Sequence, residues 1–130
     1  MSRSGEEIAR AASGCVGVRF RPQGRDPAHG LDCVGLAGVA FGRSGLPEGY
    51  ALRGGDVERI GVVLAEQGLR PVDRSEEGDL LLIEAAPRQY HFAVKTRGGF
   101  VHADARLRRV VETPGEPRWP VIGIWREGGD

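Results

Sequence analysis

The sequence predicts an α+β domain, with helices first and an antiparallel sheet after them. Two observations carry that reading. Up to about residue 68, apolar residues recur at helical spacing behind capping residues. Beyond it, short apolar or β-prone runs are fenced by Gly, Pro and Asp, the punctuation of strands and tight turns.

The first helix starts at Ser4, with Glu7 three residues on as a capping box, and Ile8, Ala11, Ala12 and Cys15 form one apolar face. Cys15 therefore belongs to the core. Gly17 to Gly30 is rich in Gly, Pro, Arg and Gln without a sustained period and reads as a surface loop. Asp32 caps a second helix from Cys33 to about Phe41, closed by Gly42. A loop from Gly45 to Gly55 follows. Asp56 then caps a third helix with Val57, Ile60, Val63 and Leu64 as its buried stripe and Gly68 as its stop. Leu80 to Ile83 reads as a buried strand. His91–Thr96 and Phe100–Asp104 flank Arg97-Gly98-Gly99 as a hairpin, and Leu107–Glu112 and Val121–Trp125 are two further strands.

At 130 residues the chain has the length of one domain, so residues 1–130 are read as a single unit. Lys plus Arg equals Asp plus Glu at 18 each, so no net basic field draws the chain to nucleic acid or anionic lipid. Arg106, Arg108 and Arg109 form a local basic group, which reads as a solvated strand edge. The two cysteines make no C-x-x-C pair and no zinc spacing; with no phosphate loop or dinucleotide fingerprint either, no cofactor or metal is expected. The amino terminus is polar and no run is long and apolar enough for a signal peptide or a membrane span. The expectation is synthesis in the cytoplasm without an export signal, and no membrane partner.

Chemistry points to Cys33. A helix amino terminus presents unpaired N–H groups and a partial positive charge, which lower a thiol's pKa toward the nucleophilic thiolate. The Cys33 N–H is also placed to donate to an oxyanion, and Gly35 keeps the following turn slim enough for close approach. A lone cysteine at a helix start is nonetheless more often packed and inert. The histidines add weight. If Arg97-Gly98 is the two-residue loop, His91 lies opposite Asp104 and His102 opposite Ala93, so both histidines share a face about 7–8 Å apart; a Gly98-Gly99 loop keeps the shared face but separates them by two more residues. A thiol, a base and a group that orients the base form an activated nucleophile. Two strand histidines satisfied by backbone bonds are the plain alternative.

Five segments in order resemble the NlpC-type cell-wall peptidases of the papain-like superfamily. Gly17-Val18-Arg19-Phe20-Arg21 and Gly30-Leu31-Asp32-Cys33-Val34-Gly35-Leu36 are similar to its nucleophile region. Gly78-Asp79-Leu80-Leu81, His91-Phe92-Ala93-Val94 and Phe100-Val101-His102-Ala103 are similar to its later strands. The resemblance runs from about Glu7 to Val111. It implies a papain-like fold, Cys33 as nucleophile, His91 as its base and His102 as the orienter. It also implies a peptidoglycan stem peptide as substrate, commonly cut between D-γ-glutamyl and meso-diaminopimelate. Short members occur in phage tails and gene-transfer-agent particles, which implies that such a particle delivers the protein to the wall.

Where the family often has a Tyr, this chain has Phe20, which lacks a hydroxyl, so Arg21 or Gln23 are alternative substrate contacts, along with Asp32. The His91–His102 spacing is one residue shorter than usual in the family, and Asp104 is the second candidate for orienting His91. Other polar residues have plainer readings. His29 is a solvated loop residue, Arg25 and Asp26 suit a cleft rim or an exposed turn equally, and Asp79 is turn chemistry. Trp119 and Trp125 read as edge covering or core packing. Two other functions fit the same residues: an amidase or acyltransferase on a different acyl group, and a wall-binding or tail-assembly module in which Phe20 marks decayed chemistry.

Overall fold

A computed structural model describes residues 3–44, 46, 52 and 56–128. The expected loop at 45–55 thus lies outside the described residues, apart from Leu46 and Leu52, which are both buried. Three helices, α1 (Gly5–Ser13), α2 (Cys33–Phe41) and α3 (Val57–Glu66), precede most of the strands. A two-stranded ribbon of β1 (Arg25–Asp26) and β2 (Gly30–Leu31) sits between α1 and α2. Six strands form the main sheet: β3 (Leu69–Pro71), β4 (Leu80–Ala86), β5 (Gln89–Lys95), β6 (Gly99–Asp104), β7 (Arg109–Pro114) and β8 (Val121–Glu127). Their order is β3-β8-β4-β5-β6-β7, antiparallel throughout. The α+β architecture is as expected.

Local chemistry explains the helices. Ser4 and Glu7 form a complete capping box on α1. Asp32 caps α2 by accepting from the Gly35 N–H at 2.9 Å, and Gly42 ends it in the left-handed conformation at φ 68°. Helix α2 is apolar all round, so it needs cover on every side. It packs against α1 and across β5 and β6, burying Val34, Leu36, Ala37, Ala40 and Phe41. Ile60 and Leu64 are the buried line of α3, with Val57 packed against the same core.

Alternation along each strand divides the sheet into two faces. Leu80, Leu82, Phe92, Val94, Val101 and Val110 face the helices and form the main core. Leu81, Ile83, Ala93 and Phe100 form a second cluster on the outer face, covered by Trp119 and Ile124. Trp125 joins the main core and Trp119 the outer cluster.

Strand β3 was not expected, and several expected boundaries change. The segment expected as loop, from Gly17 to Gly30, contains β1–β2, and its first part also covers the sheet edge. The Gly17 and Phe20 N–H groups donate to the Val110 and Arg108 carbonyls (both 2.9 Å), and the Val110 N–H donates to the Val18 carbonyl at 2.8 Å. These bonds satisfy the outer edge of β7. The strand expected from Leu107 starts at Arg109 instead. Asp104 Oδ1 accepts from the Arg106 and Leu107 N–H groups at 2.8 and 3.0 Å, and Arg108 is left-handed at φ 63°. That turn consumes Leu107, which is left exposed.

Candidate active site

The hairpin has the register in which Arg97-Gly98 is the loop: Val94 pairs with Val101 and Lys95 with Phe100. The Thr96 N–H donates to the Gly99 carbonyl at 2.9 Å. Because antiparallel hydrogen bonds alternate, the N–H groups of Val94 and Phe92 point to the same side as that of Thr96, toward β6. The ladder between β5 and β6, however, ends at Val94 and Val101. Beyond that rung the Phe92 N–H meets the Cys33 sulfur instead of a β6 carbonyl. The nucleophile candidate thus occupies the split between two strands, beside the residue that follows His91.

Asp32 fixes this mount. Its Oδ1 accepts from the Gly35 N–H at 2.9 Å and Arg25 Nη1 at 2.8 Å, and its Oδ2 accepts from the Gln23 N–H at 2.9 Å. Gln23 holds φ 59° to present that N–H. Gly35 is required because a Cβ there would collide with the Gly24 carbonyl oxygen. The close approach expected at Gly35 is therefore made by the β1–β2 ribbon. Asp32, considered above as a substrate contact, has both oxygens engaged within the protein.

The acidity expected of Cys33 does not hold in this state. Burial pushes its thiol up to about 11, outweighing the Phe92 N–H and the Arg25 guanidinium, which favour the thiolate; the Asp32 carboxylate pushes further upward. The helix end and two N–H donors do not offset the loss of water. Cys33 rests as a thiol. Cys15 lies in the core, and burial raises its pKa too.

His102 stands on the outer face between two rings, with Phe100 at 5.2 Å and Trp119 edge-on at 6.1 Å between centroids. Burial lowers its pKa, Asp104 opposes that shift, and His91 adds to it. The imidazole is thereby kept neutral at neutral pH, with His91 close enough to act on it electrostatically. Both histidines line a cavity of about 500 Å³, together with Ile83, Asp104, Arg106, Arg118 and Trp119. His91 is exposed there.

The remaining expected residues divide in two. Arg21, Gln23, Arg25, Asp26 and His29 line a second hollow of about 370 Å³ along the ribbon, and His29 is exposed beside Asp26 at 3.3 Å. Phe20 is half-buried against the main core. Asp79 lies in a turn as expected, and is also buried in a two-pronged pair with Arg126 at 2.9 Å on each oxygen. The sequence reading missed Trp119 as a cavity wall and as a support for His102. No sequence signal linked it to β6, because the β7–β8 connection brings it there. Among the described residues no three His, Cys, Asp or Glu side chains converge as a metal-ligand set.

No protein-family model and no curated protein matches the chain. Solved structures do. The NlpC/p60 domain of the peptidoglycan hydrolase SagA aligns at 25% identity and TM-score 0.57 over 86% of this chain and 90% of that one. NlpC1 from Trichomonas vaginalis aligns at 18% identity and TM-score 0.68 over 94% of this chain. The peptidoglycan hydrolase RipB from Mycobacterium tuberculosis aligns at 21% identity and TM-score 0.62, also over 94%. The chain spans 44% of the Trichomonas protein's length and 63% of RipB's. With helices packed on an antiparallel sheet and these domains as its neighbours, the chain has the papain-like α+β fold of NlpC/p60 domains.

Proposed function

We propose that this protein is a cysteine peptidase that hydrolyses peptidoglycan stem peptides, with Cys33 as nucleophile, His91 as base and His102 as the residue that orients His91. The supporting observation is the lodging of the Cys33 sulfur against the Phe92 N–H, next to His91, in the fold of known peptidoglycan hydrolase domains. Because the resting thiol is protonated, attack and proton transfer are coupled. The Cys33 sulfur adds to the amide carbonyl carbon as its proton passes to His91, and the carbonyl π electrons move to oxygen. In this reading the Cys33 N–H donates to that oxyanion. Collapse breaks the C–N bond, the amine leaves with the proton from His91, and water then hydrolyses the thioester. Neutral His102 can accept or donate a hydrogen bond to hold the His91 ring.

The proposed scissile bond is D-γ-glutamyl-meso-diaminopimelate. Mass spectrometry of stem peptides after incubation tests it. The expected product carries a new free amine on the diamino acid; cleavage at another amide, or of a non-wall acyl substrate alone, overturns this assignment. Delivery to the wall in a phage-tail or gene-transfer-agent particle is part of the same proposal, supported by the motif resemblance. Absence of the protein from particles in host lysates would reject it.

A further inference from the structure

The histidine cavity holds more charge than the proposed chemistry uses. Two guanidinium groups line it, Arg106 from the β6–β7 turn and Arg118 from the β7–β8 connection. Neither side chain has a carboxylate partner among the described residues, whereas Arg25, Arg43 and Arg126 all do. Arg118 lies 5.0 Å from the Trp119 ring centroid, so its flat ion is held over an aromatic face at the cavity wall. Asp104 is the opposing charge, but its Oδ1 is engaged by the Arg106 and Leu107 N–H groups, which also aim the turn. A guanidinium recognises a carboxylate with two parallel hydrogen bonds, and both arginines are exposed at the cavity to meet one.

We propose that Arg106 and Arg118, with Trp119 as their wall, form a specificity site that reads a free carboxylate on the substrate beside the scissile amide. This rests on the peptidase reading above and adds a preference to it: acidic peptides over their carboxamide counterparts.

The test uses pairs of stem peptides identical except that one carboxylate is free or amidated, with the change placed in turn on either side of the scissile bond. For at least one position, the free acid is expected to show a kcat/KM about ten-fold higher, mainly through KM. Arg106→Gln and Arg118→Gln should each shrink that ratio, the double variant should bring it near one, and Arg→Lys should restore part of it. Calorimetry of the same peptides on Cys33→Ala gives a reading that needs no turnover, with tighter binding of the acid expected. Equal kcat/KM for acid and amide at every position, or parallel losses on both in the arginine variants, would overturn the proposal. If the parent cuts neither peptide, the peptidase reading fails, and the calorimetric preference or its absence still decides the carboxylate site.

Discussion

The two flanks of the candidate site, the buried Cys33 mount and the histidine cavity, are built on opposite plans. On the Cys33 flank the polar groups that hold the nucleophile are tied down: Asp32 takes three donors, the ribbon backbone presses on Gly35, and the thiol is buried. On the histidine flank His91 is exposed, two arginines have no carboxylate partner among the described residues, and the cavity is open. In the proposed reading, one flank positions the reacting atom and the other receives the substrate. A mount must be rigid to hold a reacting atom in place, whereas a receiving wall keeps its hydrogen bonds for a ligand.

Substitutions on each flank should therefore fail in different ways. His91→Ala should have the largest effect, a turnover loss of about 10³-fold or more with an unchanged melting temperature, because an exposed side chain contributes little to packing. Kinetics and calorimetry on one sample check both halves. Next is the resting thiol. With Cys33 titrating at about 11, iodoacetamide alkylation near neutral pH should run about 10²-fold slower than for a free thiol and climb through alkaline pH. A profile that levels off below pH 8 would mean that the mount activates sulfur before substrate arrives.

Asp32→Ala comes third and separates stability from acidity. It removes the α2 cap and strands the Gln23 N–H, so a cost of about 2–3 kcal/mol is expected in denaturant unfolding. The same change removes a charge that pushes the thiol upward, so Cys33 should alkylate at lower pH.

The smallest effect concerns His102. Its pKa is depressed in the fold, so the associated stability is present above its ordinary value of 6.5 and is lost as pH falls through the lower folded value. Asp104→Asn keeps the turn-forming oxygen and removes the charge that raises His102. The acid limb of activity should move to lower pH by a fraction of a unit, whereas the stability lost to acid should grow, because the gap between the folded and unfolded His102 values widens.

The legible parts of the molecule were those governed by near neighbours in sequence. The Ser4 capping box, the Asp32 cap and the Arg97-Gly98 register each depend on residues a few positions apart, and each stands in the structure. What sequence concealed was set by distant contacts. The thiol's high pKa comes from burial at the meeting of α2, the ribbon and the split between β5 and β6, none of it visible at Cys33 itself. Trp119 reaches His102 only because β8 returns between β3 and β4. The shifted start of β7 was concealed for a more local reason: Asp104 captures the two N–H groups that would otherwise begin a strand.

Peptidoglycan cleavage by this protein rests most on Cys33 as the attacking atom. The decisive measurement is release of stem-peptide fragments from purified peptidoglycan by the parent, Cys33→Ala and Cys15→Ala side by side, with folding checked by circular dichroism. Cleavage is expected from the parent and from any folded Cys15→Ala protein, and none above background from Cys33→Ala. Cleavage by Cys33→Ala at the parent's rate would contradict that role.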